Sequence, residues 1–178
     1  MDITKFRAGM TGDGARPNLF QIQVNLPAQL QTLNTGGRFA DKLDISCRAA
    51  QIPGSTLGKV VAQYQGREVF FAGNRTFADW TITVINDEDF LVRRTIEQWM
   101  AALNSHRTNV RRADLINPSS YAADCIVEHL GKAGPDSVIA RYRMFSAFPI
   151  DLSPIELEWG TNDALEEYTV TFSFDYWE

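Results

Sequence analysis

The chain has 178 residues, 44% of them hydrophobic and 22% charged, which is enough for one domain with a real core and too little for two generous ones. Seventeen Lys+Arg against 22 Asp+Glu leave a formal charge of −5, so the overall balance argues against a surface built to neutralise nucleic-acid phosphates. Two cysteines are too few for a disulfide framework, and no apolar run approaches membrane-spanning length.

In chain order, residues 1–17 are Gly-rich and polar and predict a flexible arm ending at Pro17. Phe20, Ile22, Val24 and Leu26 alternate with polar residues, the period-two pattern of a half-buried strand. Residues 27–42 predict a loop containing Gly36-Gly37, and Leu43, Ile45 and Cys47 a second strand that stops at Pro53-Gly54. Residues 53–66 predict an extended, Gly-containing loop before a third strand near Glu68 to Phe71. Trp80, Ile82 and Val84 alternate with Thr81 and Thr83 in a fourth strand.

After Asn86 the spacing changes. Val92, Ile96, Trp99 and Leu103 fall on one stripe of an amphipathic helix predicted over about residues 88–104. Residues 105–120 predict a polar loop. Tyr121 to Leu130 and Val138 to Phe148 predict a strand pair joined by a Gly131 to Pro135 hairpin. Ile155, Leu157 and Trp159 predict a seventh strand, and Tyr168 to Tyr176 an eighth. The expectation is a single domain over residues 1–178, mostly β: a sandwich or barrel of about eight strands with one main helix.

The side chains that could carry chemistry are scattered. Asn86-Asp87-Glu88-Asp89 resembles a metal site, but consecutive residues at a helix start point in different directions, whereas a helix cap needs this pattern. Glu156/Glu158 and Glu166/Glu167 read as surface charge, and Arg107, Arg111 and Arg112 as a small basic loop without an aromatic platform. His106, His129, Cys47 and Cys125 have unrelated spacings, which gives neither a zinc site nor a supported nucleophile and base. No phosphate-loop, dinucleotide or GxSxG fingerprint is present. The expectation is no catalytic residue, no metal and no cofactor. The N-terminus has no signal-peptide core, so folding in a cytoplasm is expected.

Arg16-Pro17-Asn18-Leu19-Phe20, Cys47-Arg48-Ala49 leading to Pro53, Gly73-Asn74-Arg75-Thr76-Phe77 followed by Asp79-Trp80-Thr81, and the terminal Asp175-Tyr176-Trp177-Glu178 carry a resemblance. The chain resembles the tail tube proteins of contractile-tailed bacteriophages. The resemblance implies a β-sandwich-like subunit that forms six-fold rings stacked into a hollow tube, with strands of each subunit joining a continuous β-barrel around the lumen. Implied partners are further copies of the chain, the sheath, the tape measure protein and double-stranded DNA in the lumen, and baseplate and terminator proteins. The implied location is the inner tube of the virion tail, assembled in the host cytoplasm. Strand alternation nominates Asp44, Asp124 and Glu128 as lumen-facing, while Arg75, Asp79, Arg16 and Pro17 are candidates for the subunit interface. Alternatives are the tube of a phage-derived injection device (bacteriocin or secretion type) and a small β-barrel ligand carrier.

Overall fold

The computed structural model describes residues 2–11, 14–34, 37–134 and 136–178. Gly12 and Asp13 of the predicted arm, Gly36 of the predicted loop and Pro135 of the predicted hairpin lie outside the described residues, as do Met1 and Thr35.

The strands are β1 (Phe20–Val24), β2 (Cys47–Ala50), β3 (Ser55–Tyr64), β4 (Arg67–Phe77), β5 (Trp80–Ile85), β6 (Ala123–Leu130), β7 (Val138–Leu152), β8 (Glu167–Ser173) and β9 (Tyr176–Trp177). The helices are α1 (Ile3–Gly9), α2 (Arg38–Ser46), α3 (Leu91–Leu103) and α4 (Pro118–Tyr121), with a 3-10 turn at Ala28–Leu33. All described pairings are antiparallel, in the order β1-β6-β7-β8-β5-β2, with β9 also on β7. The fold is mostly β, as the alternation predicts.

β7 organises the sheet. Its first part pairs with β6 as far as Ala147, and its last residues, from Phe148, pair with β8. Between them Ser146 takes a positive φ of 57°, and the register slips on both sides, so one strand bends from one half of the sheet into the other. Ile22, Val24, Cys125, Val127 and Met144 from one half then share a core with Trp80, Ile82, Val84, Tyr168, Val170 and Phe172 from the other. Val92, Ile96 and Trp99 of α3 are buried in the same core, as their helical stripe predicts. The Trp99 indole N–H donates to the Tyr121 carbonyl at 2.9 Å, so the ring is buried without stranding its polar atom.

Four predicted segments differ. Residues 38–46 form a helix rather than loop and strand: Phe39 and Leu43, four apart, are buried, while Ile45 is 85% exposed. Four-residue spacing outweighed the short Leu43-Ile45-Cys47 alternation. Residues 55–64 are a full strand rather than a loop; Gln65 and Gly66 both take positive φ, as a two-residue hairpin turn requires. Residues 155–159 form no strand, because only Ile155 packs on the core while Leu157 and Trp159 face outward. Within the predicted arm, Ile3–Gly9 is helical, with the Asp2 carboxylate accepting from the Thr4 N–H at 2.9 Å.

Candidate assembly surfaces

The β3–β4 hairpin forms a two-stranded sheet of its own, paired from Ser55↔Phe77 to Tyr64↔Arg67. Cross-strand partners share a face, so Val60 and Phe71, Ala62 and Val69 give an almost wholly apolar side. The other side carries Lys59 4.8 Å from the Phe70 ring centroid, and Gln63 donating to Glu68. Val60, Tyr64, Phe70 and Phe71 are all more than half exposed. An isolated hairpin is marginal in water, and one with apolar residues on both faces and two open edges is a surface in need of a partner.

Its root is fixed. Phe77 lies 6.0 Å from Phe174 and 6.4 Å from Trp177, and Tyr142 meets Trp177 edge-on at 5.4 Å. The Trp177 indole N–H donates to the Gly54 carbonyl at 3.2 Å. Near the root, Gly73 passes so close to the other strand that a Cβ there would lie 3.0 Å from Gly58 backbone atoms. Sequence reading missed the apolar hairpin face. The Gln65-Gly66 pair between strand-forming residues was the signal that could have found it.

The acidic stretch 86–89 proves to be a joint. The Lys42 ammonium of α2 bridges Asp87, at 2.6 Å, and Asp89. That ammonium holds both carboxyls below their ordinary range, and the two carboxylates in turn raise Lys42. The predicted cap at Asn86 or Asp87 is displaced: the helix starts at Leu91, whose N–H donates to Asp89 at 2.9 Å. Asn86 instead donates to Glu166 at 2.8 Å, and Asp87 accepts from the Glu88 N–H.

Arg75 donates to Ser55 within the hairpin at 2.8 Å, and Asp79 lies exposed in the turn after β4; among the described residues the two do not pair. Arg16 and Pro17 are exposed, and Arg16 lines a cleft of about 550 Å³ with Leu19, Leu130 and Lys132. Asp44 lies in α2, not in a strand, and its carboxylate accepts from the Ile22 N–H at 2.9 Å on the open edge of β1. Asp124 pairs with Arg143 at 2.6 Å, and Glu128 pairs with Arg141, its cross-strand partner on β7, opposite Gln21 on β1. The acids on this outer face are thus neutralised one for one by arginines.

Burial pushes the Cys47 thiol up to about 12, and that of Cys125 up as well, which is the wrong direction for a nucleophile. Among the described residues no three His, Cys, Asp or Glu side chains gather into a metal-holding group, and no helix is long and apolar enough to cross a membrane.

Residues 15–178 match the phage tail tube protein family. The chain is 28% identical to "Tail tube protein gp19" of Enterobacteria phage T4, over 99% of its own length and 98% of that protein. It is 26% identical to the tail tube protein of Serratia phage KSP90, over 94% and 90% of the two chains. The fold also resembles a chain in the cryo-EM structure of the anti-feeding prophage tube-terminating cap, with TM-score 0.64, 12% identity and coverage of 93% and 89%. A chain in the extended sheath–tube complex of the PVC extracellular contractile injection system gives TM-score 0.52, 12% identity and coverage of 100% and 98%. A bent antiparallel sheet carrying an uncovered hairpin, with a family match over nearly the whole length, makes the chain a member of the phage tail tube protein family.

Proposed function

We propose that the protein is the repeating, non-catalytic subunit of the hollow inner tube of a contractile phage tail, forming six-fold rings that stack inside a sheath. The observation that carries this reading is the β3–β4 hairpin, whose exposed Val60, Val69, Phe70 and Phe71 have no cover within the subunit. Pairing of its open edges with neighbouring subunits closes the barrel and removes the edges. Head-to-tail stacking is heterologous and therefore propagates into a filament. Arg75 and Asp79 at the foot of the hairpin, and Arg16 and Pro17 beside the cleft, lie at the subunit contacts.

In this tube the tape measure protein and then double-stranded DNA occupy the lumen. Baseplate and terminator proteins cover the ends, and assembly takes place in the host cytoplasm. Six copies at −5 each carry roughly −30 per ring, and whatever part of that excess faces the lumen beyond the paired acids repels DNA phosphates and keeps the passage slippery. The outer face of β6 and β7, with Asp124 and Glu128 against Arg141 and Arg143, is the proposed lining, and Asp44 lies at its β1 edge. A cryo-EM map with net positive lumen side chains excludes that lining. Fold likeness to the anti-feeding prophage chain keeps a tube of an injection device without a genome as the second reading.

Size-exclusion chromatography and negative-stain microscopy of purified protein test the assembly. Rings or tubes are expected; a strict monomer at all concentrations refutes the proposal. Capsid and terminase genes beside this one distinguish a phage from an injection device.

A further inference from the structure

We infer that loop 153–166 of one copy docks on the cleft beside the C-terminal end of α3 in a second copy of this chain, an inference that rests on the tube reading above. The loop, between β7 and β8, carries Glu156, Glu158, Asp163 and Glu166 and no lysine or arginine. Ile155 packs on the core, but three further apolar side chains point away from the subunit: Leu157 is 81% exposed, Leu165 72%, and Trp159 wholly so. A bare indole set among carboxylates is a poor solvent surface and a good anchor, since Trp is the side chain most often found at the energetic centre of an interface.

The complementary surface is on the same chain. Residues 104–112 carry Arg107, Arg111 and Arg112 and no acid. Arg112 is engaged by Asp114, whereas Arg107 is exposed and makes no ion pair among the described residues. Arg111 lies with its guanidinium 4.8 Å over the Tyr121 ring. Behind it opens a cleft of about 320 Å³ lined by Met100, Leu103, Arg111, Tyr121, Phe148 and Pro149. Apolar walls with a guanidinium at the rim suit an indole flanked by Glu156 and Glu158, because the cation can lie on the ring and pair with either carboxylate.

The two loops are rooted at different ends of α3. Arg93, in the first turn of α3, donates to the Ser153 carbonyl where the loop begins. The basic loop leaves the other end of the helix after Leu103, ten residues on and about 15 Å along the axis, and His106 turns back to line a cleft with Leu152. Two unlike surfaces on one subunit give a heterologous contact, as ring closure or stacking requires. The charge pattern also sets its direction, since inverted docking would bring like charges together.

A charge exchange tests this. Wild-type protein is first checked for rings or tubes by negative stain and light scattering; failure there overturns the tube reading itself. E156K/E158K puts lysines beside Trp159 in place of the acids, and R107E/R111E puts acids at the cleft in place of the arginines, so each variant sets like charges against each other at the contact. Each variant alone is expected to raise the concentration needed for assembly by at least ~tenfold, while a one-to-one mixture restores it, because each then meets its complement in the other. Monomer melting temperatures confirm folding, and R107E replaces the double variant if loss of the Arg111–Tyr121 contact lowers stability. Wild-type assembly by either variant alone overturns the inference and assigns the Trp159 loop to a different partner. Failure of two folded variants to rescue one another overturns it equally.

Discussion

The indole N–H of Trp177 donates to the carbonyl of Gly54 at 3.2 Å, tying the last strand to the root of the β3–β4 hairpin. Phe77, Tyr142 and Phe174 complete the contact, so a residue at the end of the chain holds a segment that begins more than a hundred positions earlier. Trp177→Ala removes two ring contacts and this hydrogen bond, costing about 2–3 kcal/mol. Faster amide exchange is expected across residues 55–77, with the protection of β5 and β8 retained; unchanged exchange in the hairpin refutes the role.

Gly73→Ala is expected to damage the hairpin without damaging the core. The added methyl lies 3.0 Å from Gly58 backbone atoms, which can move only by disturbing the ladder around the bulge between Leu57 and Lys59. A drop in assembly with a melting temperature within a few degrees of wild type is the expected result. Gly54→Ala is the control, since a Cβ there meets nothing within 4 Å.

The joint between α2 and α3 depends on pH at both ends of the scale. Asp87 and Asp89 are held below their ordinary value of 3.8, so their contribution is present above that pH and is lost as pH falls through the depressed values. Lys42 is raised from 10.5, so its contribution is present below that pH and is lost as pH rises through the elevated value. Lys42→Met is therefore expected to lower stability at pH 7 and to flatten the acid limb of the stability–pH curve between about pH 5 and 2. Denaturant melts at a series of pH values read this directly. Asp89→Ala should cost more than Asp87→Ala, because the N–H it frees belongs to Leu91, the first residue of α3, whereas Asp87→Ala frees that of Glu88 ahead of the helix.

Trp99→Phe is expected to cost about 2–4 kcal/mol, as the indole is fully buried and its loss orphans the Tyr121 carbonyl. Deleting residues 2–15, the segment carrying α1 with its exposed Ile3 and Phe6, should leave the melting temperature unchanged, because no α1 residue is buried. Any loss of tube formation in that deletion then reports contact between copies.

By itself the sequence determined the mostly β class, the α3 stripe of Val92, Ile96 and Trp99, and the inward faces of β5 and β8. Each of those is a periodicity, and a periodicity is local. It also carried the family resemblance. Only tertiary structure decided that residues 38–46 form a helix. Phe39 and Leu43 are buried there, and the Asp44 carboxylate covers an N–H on the β1 edge, although a short strand-like alternation runs through the same residues. It likewise decided that Asp87 and Asp89 serve a lysine more than forty positions away, and that Leu157 and Trp159 stay outside the sheet that their alternation suggests. The hairpin lies between these cases. Its strands were in part readable, but its exposure was not, because whether an apolar residue is covered depends on what the rest of the chain leaves beside it.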